Sequence, residues 1–167
     1  MGVLISYEKL SSLRDTVKSP FYFTTGVYDL LHDGHIAHLN YCRHISLQQE
    51  ERGLVIVAIC DDATVRVKKG CIEGIQRPFL PQEIRAETVA DLPTVDYVVI
   101  NRPNGQEAPY YRLISMLRPD YWIMPRDGIS KEKQKICSEL GVIPIEVGRV
   151  PPPYKSGIST TQKLQVL

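Results

Sequence analysis

The sequence predicts an α/β fold, an open parallel sheet of five strands with helices on both faces. Three observations carry that prediction. Runs of β-branched and aliphatic residues alternate along the chain with segments of helical apolar spacing. The run Leu54–Cys60 is apolar at nearly every position, as a strand covered on both faces is. The segment after the first run gathers glycines and histidines just before a helix, where an open α/β sheet keeps its ligand loops.

In chain order, Ile5–Val17 places Leu10, Leu13 and Val17 at helical spacing, with Ser6 as a cap and Lys18-Ser19-Pro20 as the stop. This helix is expected to cover an edge of the sheet. Phe21–Thr25 is the first strand, ending in Gly26-Val27-Tyr28-Asp29, and helical periodicity takes over beyond Gly34. Leu54–Cys60 follows as the second strand, with Asp61 and Asp62 at its carboxyl end. The glycine-bearing stretch Lys69–Arg77 leads to a helix over Pro81–Leu92 and a strand over Val95–Ile100. Ala108–Leu117 reads as a helix, Tyr121–Met124 as a strand, and Ser130–Leu140 as a helix closed by Gly141. Val142–Val147 is the last strand. Pro151-Pro152-Pro153 then break the chain before Ser159-Thr160-Thr161, whose hydroxyls are expected to open a final helix. With no repeat and no linker, a single domain over 1–167 is expected.

An apolar content of 43% supports a packed interior. Lys plus Arg number 20 against 19 Asp plus Glu, a balance that gives no reason to expect a nucleic-acid partner. No apolar run approaches the ~20 residues of a membrane helix, and Met1–Leu10 lacks a basic region followed by a continuous apolar core. No membrane partner is expected, and the cytoplasm is the expected compartment. Cys42, Cys60, Cys71 and Cys137 form no CxxC pair and read as free thiols, and no protein-built metal site is expected.

The candidate chemistry sits in two loops. His32 and His35 flank the start of the helix after the first strand, where unpaired backbone N–H groups already favour an anion. Two imidazoles there can hydrogen-bond phosphate oxygens, stabilising charge on a departing pyrophosphate without acting as nucleophiles. Gly26 and Gly34 permit close approach of backbone to phosphate, or meet a turn requirement. Asp29 orients a site residue or binds metal, or else accepts local backbone N–H groups as a turn aspartate. His38 and His44 read as packing or surface residues. Lys68, Lys69, Arg77 and Arg85 supply cations suited to triphosphate oxygens, or form a solvated basic face. Gly157-Ile158-Ser159-Thr160-Thr161 offers a second set of small donors at a helix start, serving a phosphate or only the cap. Neither a P-loop nor a GxGxxG fingerprint is present.

Thr24-Thr25-Gly26-Val27-Tyr28-Asp29-Leu30-Leu31-His32-Asp33-Gly34-His35, together with the 157–161 motif, resembles the cytidylyltransferase-like HxGH nucleotidyltransferase superfamily. The likeness runs through Cys60-Asp61-Asp62-Ala63-Thr64-Val65, Arg77-Pro78 and Val95-Asp96-Tyr97, and within the superfamily is strongest to the adenylyltransferase domain that makes ADP-heptose. It implies a Rossmann-like HxGH nucleotidyltransferase fold acting on a nucleoside triphosphate with Mg2+, and a phosphorylated small molecule as the second substrate. Catalytic roles are implied for His32, His35, Lys69, Arg77, Ser159 and Thr160. Around the nucleotide it places Thr25, Gly26, Tyr28, Asp29, Gly34, Asp62, Asp127 and Thr161 beside the histidines, Arg77 and the two hydroxyls. A homodimer is left open.

The implied reaction is transfer of AMP from ATP to a sugar phosphate or similar phosphate ester, with release of pyrophosphate. A CTP-dependent cytidylyltransferase acting on glycerol phosphate is the close alternative, and a non-catalytic nucleotide-binding regulator the second. Two departures from the resemblance bear on the acceptor. Arg43 stands where relatives carry a lysine, and Met124-Pro125-Arg126-Asp127-Gly128 replaces a Lys-Gly-Gly-Asp-Tyr stretch, of which the aspartate survives.

Overall fold

The computed structural model describes residues 1–48, 50–72, 74–105 and 107–148. In chain order the elements are β1 (Val3–Leu4), α1 (Leu10–Thr16), β2 (Phe21–Gly26), α2 (Asp33–Ser46), β3 (Leu54–Cys60), α3 (Asp62–Lys69), β4 (Cys71–Ile72), β5 (Ile75–Gln76), α4 (Gln82–Ala90), β6 (Tyr97–Asn101), α5 (Tyr111–Leu117), β7 (Tyr121–Pro125), α6 (Lys131–Leu140) and β8 (Ile143–Val147). Short 3-10 turns occupy Tyr7–Lys9 and Arg126–Gly128. Six strands form one sheet in the order β1-β6-β3-β2-β7-β8, and every pairing in it is parallel.

Successive strand side chains point to opposite faces, so a sheet covered twice needs apolar residues at both alternations. On one face Phe21, Phe23, Ile56, Ala58, Trp122 and Met124 pack with Leu10, Leu113, Ile114, Leu117 and Ile136. The other face buries Tyr22, Val55, Val57, Ile59, Val98 and Ile123 with Leu39, Cys42, Ala86 and Val89. Helices α5 and α6 therefore cover the first face, and α2 and α4 the second. No helix among the described residues is long and apolar enough to cross a membrane.

The sheet has one strand more than the five expected. Val3–Leu4 pairs with Tyr97–Val98 at the edge, a two-residue strand too short to show a period in sequence. The first helix is correspondingly shorter than Ile5–Val17, since the chain leaves β1, makes a 3-10 turn and enters α1 only at Leu10. Two further elements lie in segments the apolar pattern left unassigned: α3, capped by Asp61 accepting from the Thr64 N–H at 3.1 Å, and the antiparallel β4–β5 pair.

From β2 the chain moves to β3 and β6 on one side, whereas β7 and β8 lie on the other. The connection direction reverses at β2. The crevice outside the carboxyl ends of β2 and β7 is thus the place where such a sheet holds a ligand, with α2 leaving β2 on one face and α6 following β7 on the other.

Candidate active site

Beyond Gly26 the chain passes through a tight loop in which Tyr28 (φ 53°) and Leu30 (φ 57°) take left-handed backbone conformations. A Cβ on Gly26 would lie 2.6 Å from Cε2 of the buried Tyr28 ring, so glycine is what lets the ring close over the strand end. His32 then caps α2, its Nδ1 accepting from the Gly34 N–H at 3.1 Å. Since Nδ1 accepts, a neutral His32 carries its proton on Nε2. The His35 ring stacks on that of His32, with centroids 3.8 Å apart and planes inclined by 26°, and Tyr28 packs 5.1 Å from His35. A Cβ on Gly34 would sit 3.0 Å from the His32 ring, which explains a glycine between the two histidines. The pair that the sequence singled out thus forms one unit at a helix N-terminus.

Behind this unit lies a buried ion pair. Arg77 Nε donates to Asp29 Oδ2 at 2.6 Å, and the Phe79 and Leu80 amides donate to the same carboxylate at 3.0 and 3.1 Å. Asp29 is 1% exposed and Arg77 3%, and the two tie the 77–80 loop to the β2–α2 loop. Arg85, fully buried, donates to the carbonyls of Leu80, Val27 and Cys60 and to Asp62 Oδ1 at 2.6 Å. Three loops at the sheet's carboxyl end hang on that guanidinium. In this structure Asp29 pairs with Arg77 and Asp62 with Arg85, and Asp29 and Arg85 also bind backbone groups, which holds the crevice's loops in place.

Across the sheet the crevice has a second wall, which sequence reading missed. Tyr110 forms it, its phenol oxygen 3.6 Å from Cys60 Sγ at the end of β3. Burial, reinforced by Cys60, pushes the Tyr110 phenol well above its ordinary range. Lys133, in the first turn of α6, donates to the Gly128 carbonyl at 2.7 Å and lies 5.3 Å from the Tyr110 ring centre and 5.5 Å from that of Trp122. Lys68 Nζ is 5.7 Å from the same Tyr110 ring. Burial pulls the Lys133 ammonium down from its ordinary value, and Lys68 adds to the shift. No local pattern announces this cluster, because α6 reads in isolation as a helix with a charged outer face.

Residues 23–165 match the family model described as cytidylyltransferase-like. The chain belongs to the cytidylyltransferase-like family. Nucleotidyl transfer in general is the reaction this membership supports. It is 33% identical over 129 residues to the bifunctional protein HldE of Helicobacter pylori, a match covering 77% of this chain and 24% of that protein. The chain spans about a quarter of the length of the bifunctional relatives it matches. To the FAD synthase of Thermococcus sibiricus it is 33% identical over 145 residues, covering 84% of this chain and 86% of that one. A solved lipopolysaccharide core biosynthesis protein from Thermoplasma volcanium superposes with a TM-score of 0.62 at 18% identity, over 78% of this chain and 98% of that chain, a likeness of fold.

In this cytidylyltransferase-like chain the remaining singled-out residues are spread around the crevice. Lys69 is exposed at the end of α3, and Asp127 is exposed in the turn after β7. Ser159, Thr160 and Thr161 lie outside the described residues. Arg43 is elsewhere: it donates to Asp96 Oδ2 at 2.7 Å and to the Gly53 carbonyl at 3.3 Å, by the amino end of β3. The lysine-to-arginine departure therefore falls at the opposite end of the sheet from the crevice. Met124 is buried in the core on β7, 1% exposed. His38 bonds Thr24 Oγ1 at 2.8 Å within the helix–sheet layer, whereas His44 is exposed. Among the described residues, no group of three or more His, Cys, Asp or Glu side chains is placed to hold a metal ion.

Proposed function

We propose that this chain transfers AMP from ATP to a sugar phosphate or a similar phosphate ester and releases pyrophosphate. The observation that carries the proposal is the stacked His32–His35 pair at the N-terminus of α2, beside the crevice where the sheet's connections reverse. Imidazole and backbone donors suit phosphate oxygens. In the transfer an acceptor phosphate oxygen bonds to the α-phosphorus as the bond to the β-phosphate oxygen breaks, and pyrophosphate leaves with the electron pair. His32 and His35 donate to oxygens that gain charge in that step, and the crevice aligns the acceptor with the leaving group.

The donor set fits a magnesium ion brought in on the triphosphate: Mg2+ keeps several waters and is held by phosphate oxygens with few protein ligands, and the described residues hold imidazole and amide donors for those oxygens in place of a carboxylate cage. Bound there, it would neutralise charge on the β- and γ-oxygens. Lys69 and Asp127, exposed at the rim, and Ser159, Thr160 and Thr161 are proposed to reach the phosphates or the ribose, with residues 1–167 acting as one domain. ATP is favoured over CTP by likeness to a relative named for making FAD and by the HldE matches.

A magnesium-containing screen crossing ATP and CTP with sugar 1-phosphates, glycerol phosphate and other phosphate esters tests the reading, with products identified by mass. Acceptor-dependent formation of an adenylylated product is the expected result. A CMP-bearing product with no turnover of ATP would overturn the nucleotide assignment. Tight triphosphate binding with no product across the set would favour a binding protein instead.

A further inference from the structure

Beneath the histidine pair, where α2 packs on β2, lies a polar contact that filling the core does not require. His38 Nε2 is 2.8 Å from Thr24 Oγ1 and 3.7 Å from Cys42 Sγ, one turn further along the helix. Thr24 is fully buried, and the residues that share this face, Tyr22, Val57, Leu39 and Cys42, are apolar or aromatic. Taking a hydroxyl and an imidazole out of water is costly unless each meets a partner, and two aliphatic side chains would fill the same layer without that cost. A satisfied polar pair in such a place fixes a position more than it adds stability.

The contact lies directly below Tyr28. Strand alternation puts Thr24 and Gly26 on the face of β2 that α2 covers, and the Tyr28 ring folds back over Gly26, where a Cβ would lie 2.6 Å from Cε2. Burial, with Cys42 and Cys60 adding to it, raises the Tyr28 phenol well above its ordinary range, and the neighbouring Thr24 side chain opposes the rise. The same ring meets that of His35 with centres 5.1 Å apart, and His35 stacks on His32 at 3.8 Å. Tyr28 also carries a left-handed backbone (φ 53°), which a residue with a Cβ keeps only where its surroundings pin it. We propose that Thr24 and His38 are positioning residues for the histidine pair: their hydrogen bond pins the Tyr28 ring, and that ring sets the angle at which His35 and His32 meet a phosphate. Neither is placed to touch substrate. The inference rests on the nucleotidyl-transfer reading for its effect on rate, and on the geometry alone for the orientation of the imidazoles.

In the full chain, the imidazole NMR resonances of His32 and His35 report their orientation, and steady-state kinetics with ATP and an acceptor that supports transfer report the rate. Thr24→Val removes the hydroxyl at nearly constant volume, His38→Leu removes the imidazole, and His38→Gln keeps a donor and an acceptor near the place of Nε2; thermal unfolding identifies the folded variants. Thr24→Val and His38→Leu should each shift the His35 resonances and lower kcat roughly tenfold, with KM for ATP within about twofold, since a misaligned donor loses rate before it loses binding. The double variant should lose no more than either single one, and His38→Gln should regain most of the rate. A lower melting temperature with wild-type resonances and wild-type kcat would make the pair ordinary core and overturn the inference. So would a double variant whose losses multiply, or a His38→Gln chain no faster than His38→Leu. A wild-type chain that forms no transfer product sinks the reaction, and the resonances then decide alone: shifted in both variants they uphold the positioning role, unmoved they overturn it.

Discussion

Asp29 and Arg77, 48 residues apart in sequence, meet at 2.6 Å in the interior, and the carboxylate also receives the amides of Phe79 and Leu80. Removing one member of a buried, hydrogen-bonded pair leaves an uncompensated charge. Asp29→Ala is therefore expected to destabilise the fold by about 3–5 kcal/mol, measured by urea unfolding. A loss under about 1 kcal/mol would show that the pair does not hold the 77–80 loop.

The histidine pair should separate chemistry from folding. His35→Ala is expected to lower kcat by roughly a hundredfold, the scale of losing one donor to a charge-gathering oxygen. His32→Ala should match it in kcat and lose about 1 kcal/mol of stability besides, because its Nδ1 caps α2 through the Gly34 amide. Folded variants with wild-type turnover would remove both from the reaction.

Arg43 supplies the converse case. Its guanidinium spans Asp96, Gly53 and Ser46, a reach that a lysine ammonium does not reproduce. Arg43→Lys should cost about 1–2 kcal/mol in chemical unfolding and leave kcat and KM unaltered. A changed KM for either substrate would place this residue back in the site.

Acid sensitivity should be traceable to His38. Burial beneath β2 pulls its pKa below the ordinary 6.5, so the folded state binds its proton less readily than the unfolded chain. Its contribution to stability is complete above about pH 6.5 and is lost as pH falls through the folded-state value. His38→Gln should flatten the decline of the unfolding free energy on that acid side, read from urea melts at a series of pH values. An identical slope in the variant would exclude His38 as its origin.

The strands were legible wherever burial on both faces imposes an unbroken apolar run, as at Leu54–Cys60 and Tyr121–Met124. The histidine pair was legible because its members are neighbours in sequence with a glycine beside them. What escaped was made by contacts between distant elements. A charge in a sequence looks available; only the structure commits Arg43 to Asp96, Arg85 to three carbonyls and Asp62, and Asp29 to Arg77. Lys133 is the converse, a lysine with the pattern of a solvated helix face that is half-buried against Tyr110 and Trp122.

The edge strand β1 has a bearing on how the chain is made. Val3 and Leu4 pair with Tyr97 and Val98, and Tyr7 reaches Asn101 across 94 residues of sequence. A ribosome adding ~5–20 residues per second leaves these residues without their partner strand for roughly 5–20 s after they are joined, whereas β2 and β3 can pair much earlier. Closing so long a loop for two residues of ladder is worthwhile only once β6 stands in a formed sheet. β1, made before β2 and β3, thus docks only after those strands have paired and β6 has joined them, and until then its two exposed aliphatic side chains are open to chaperones and to neighbouring nascent chains.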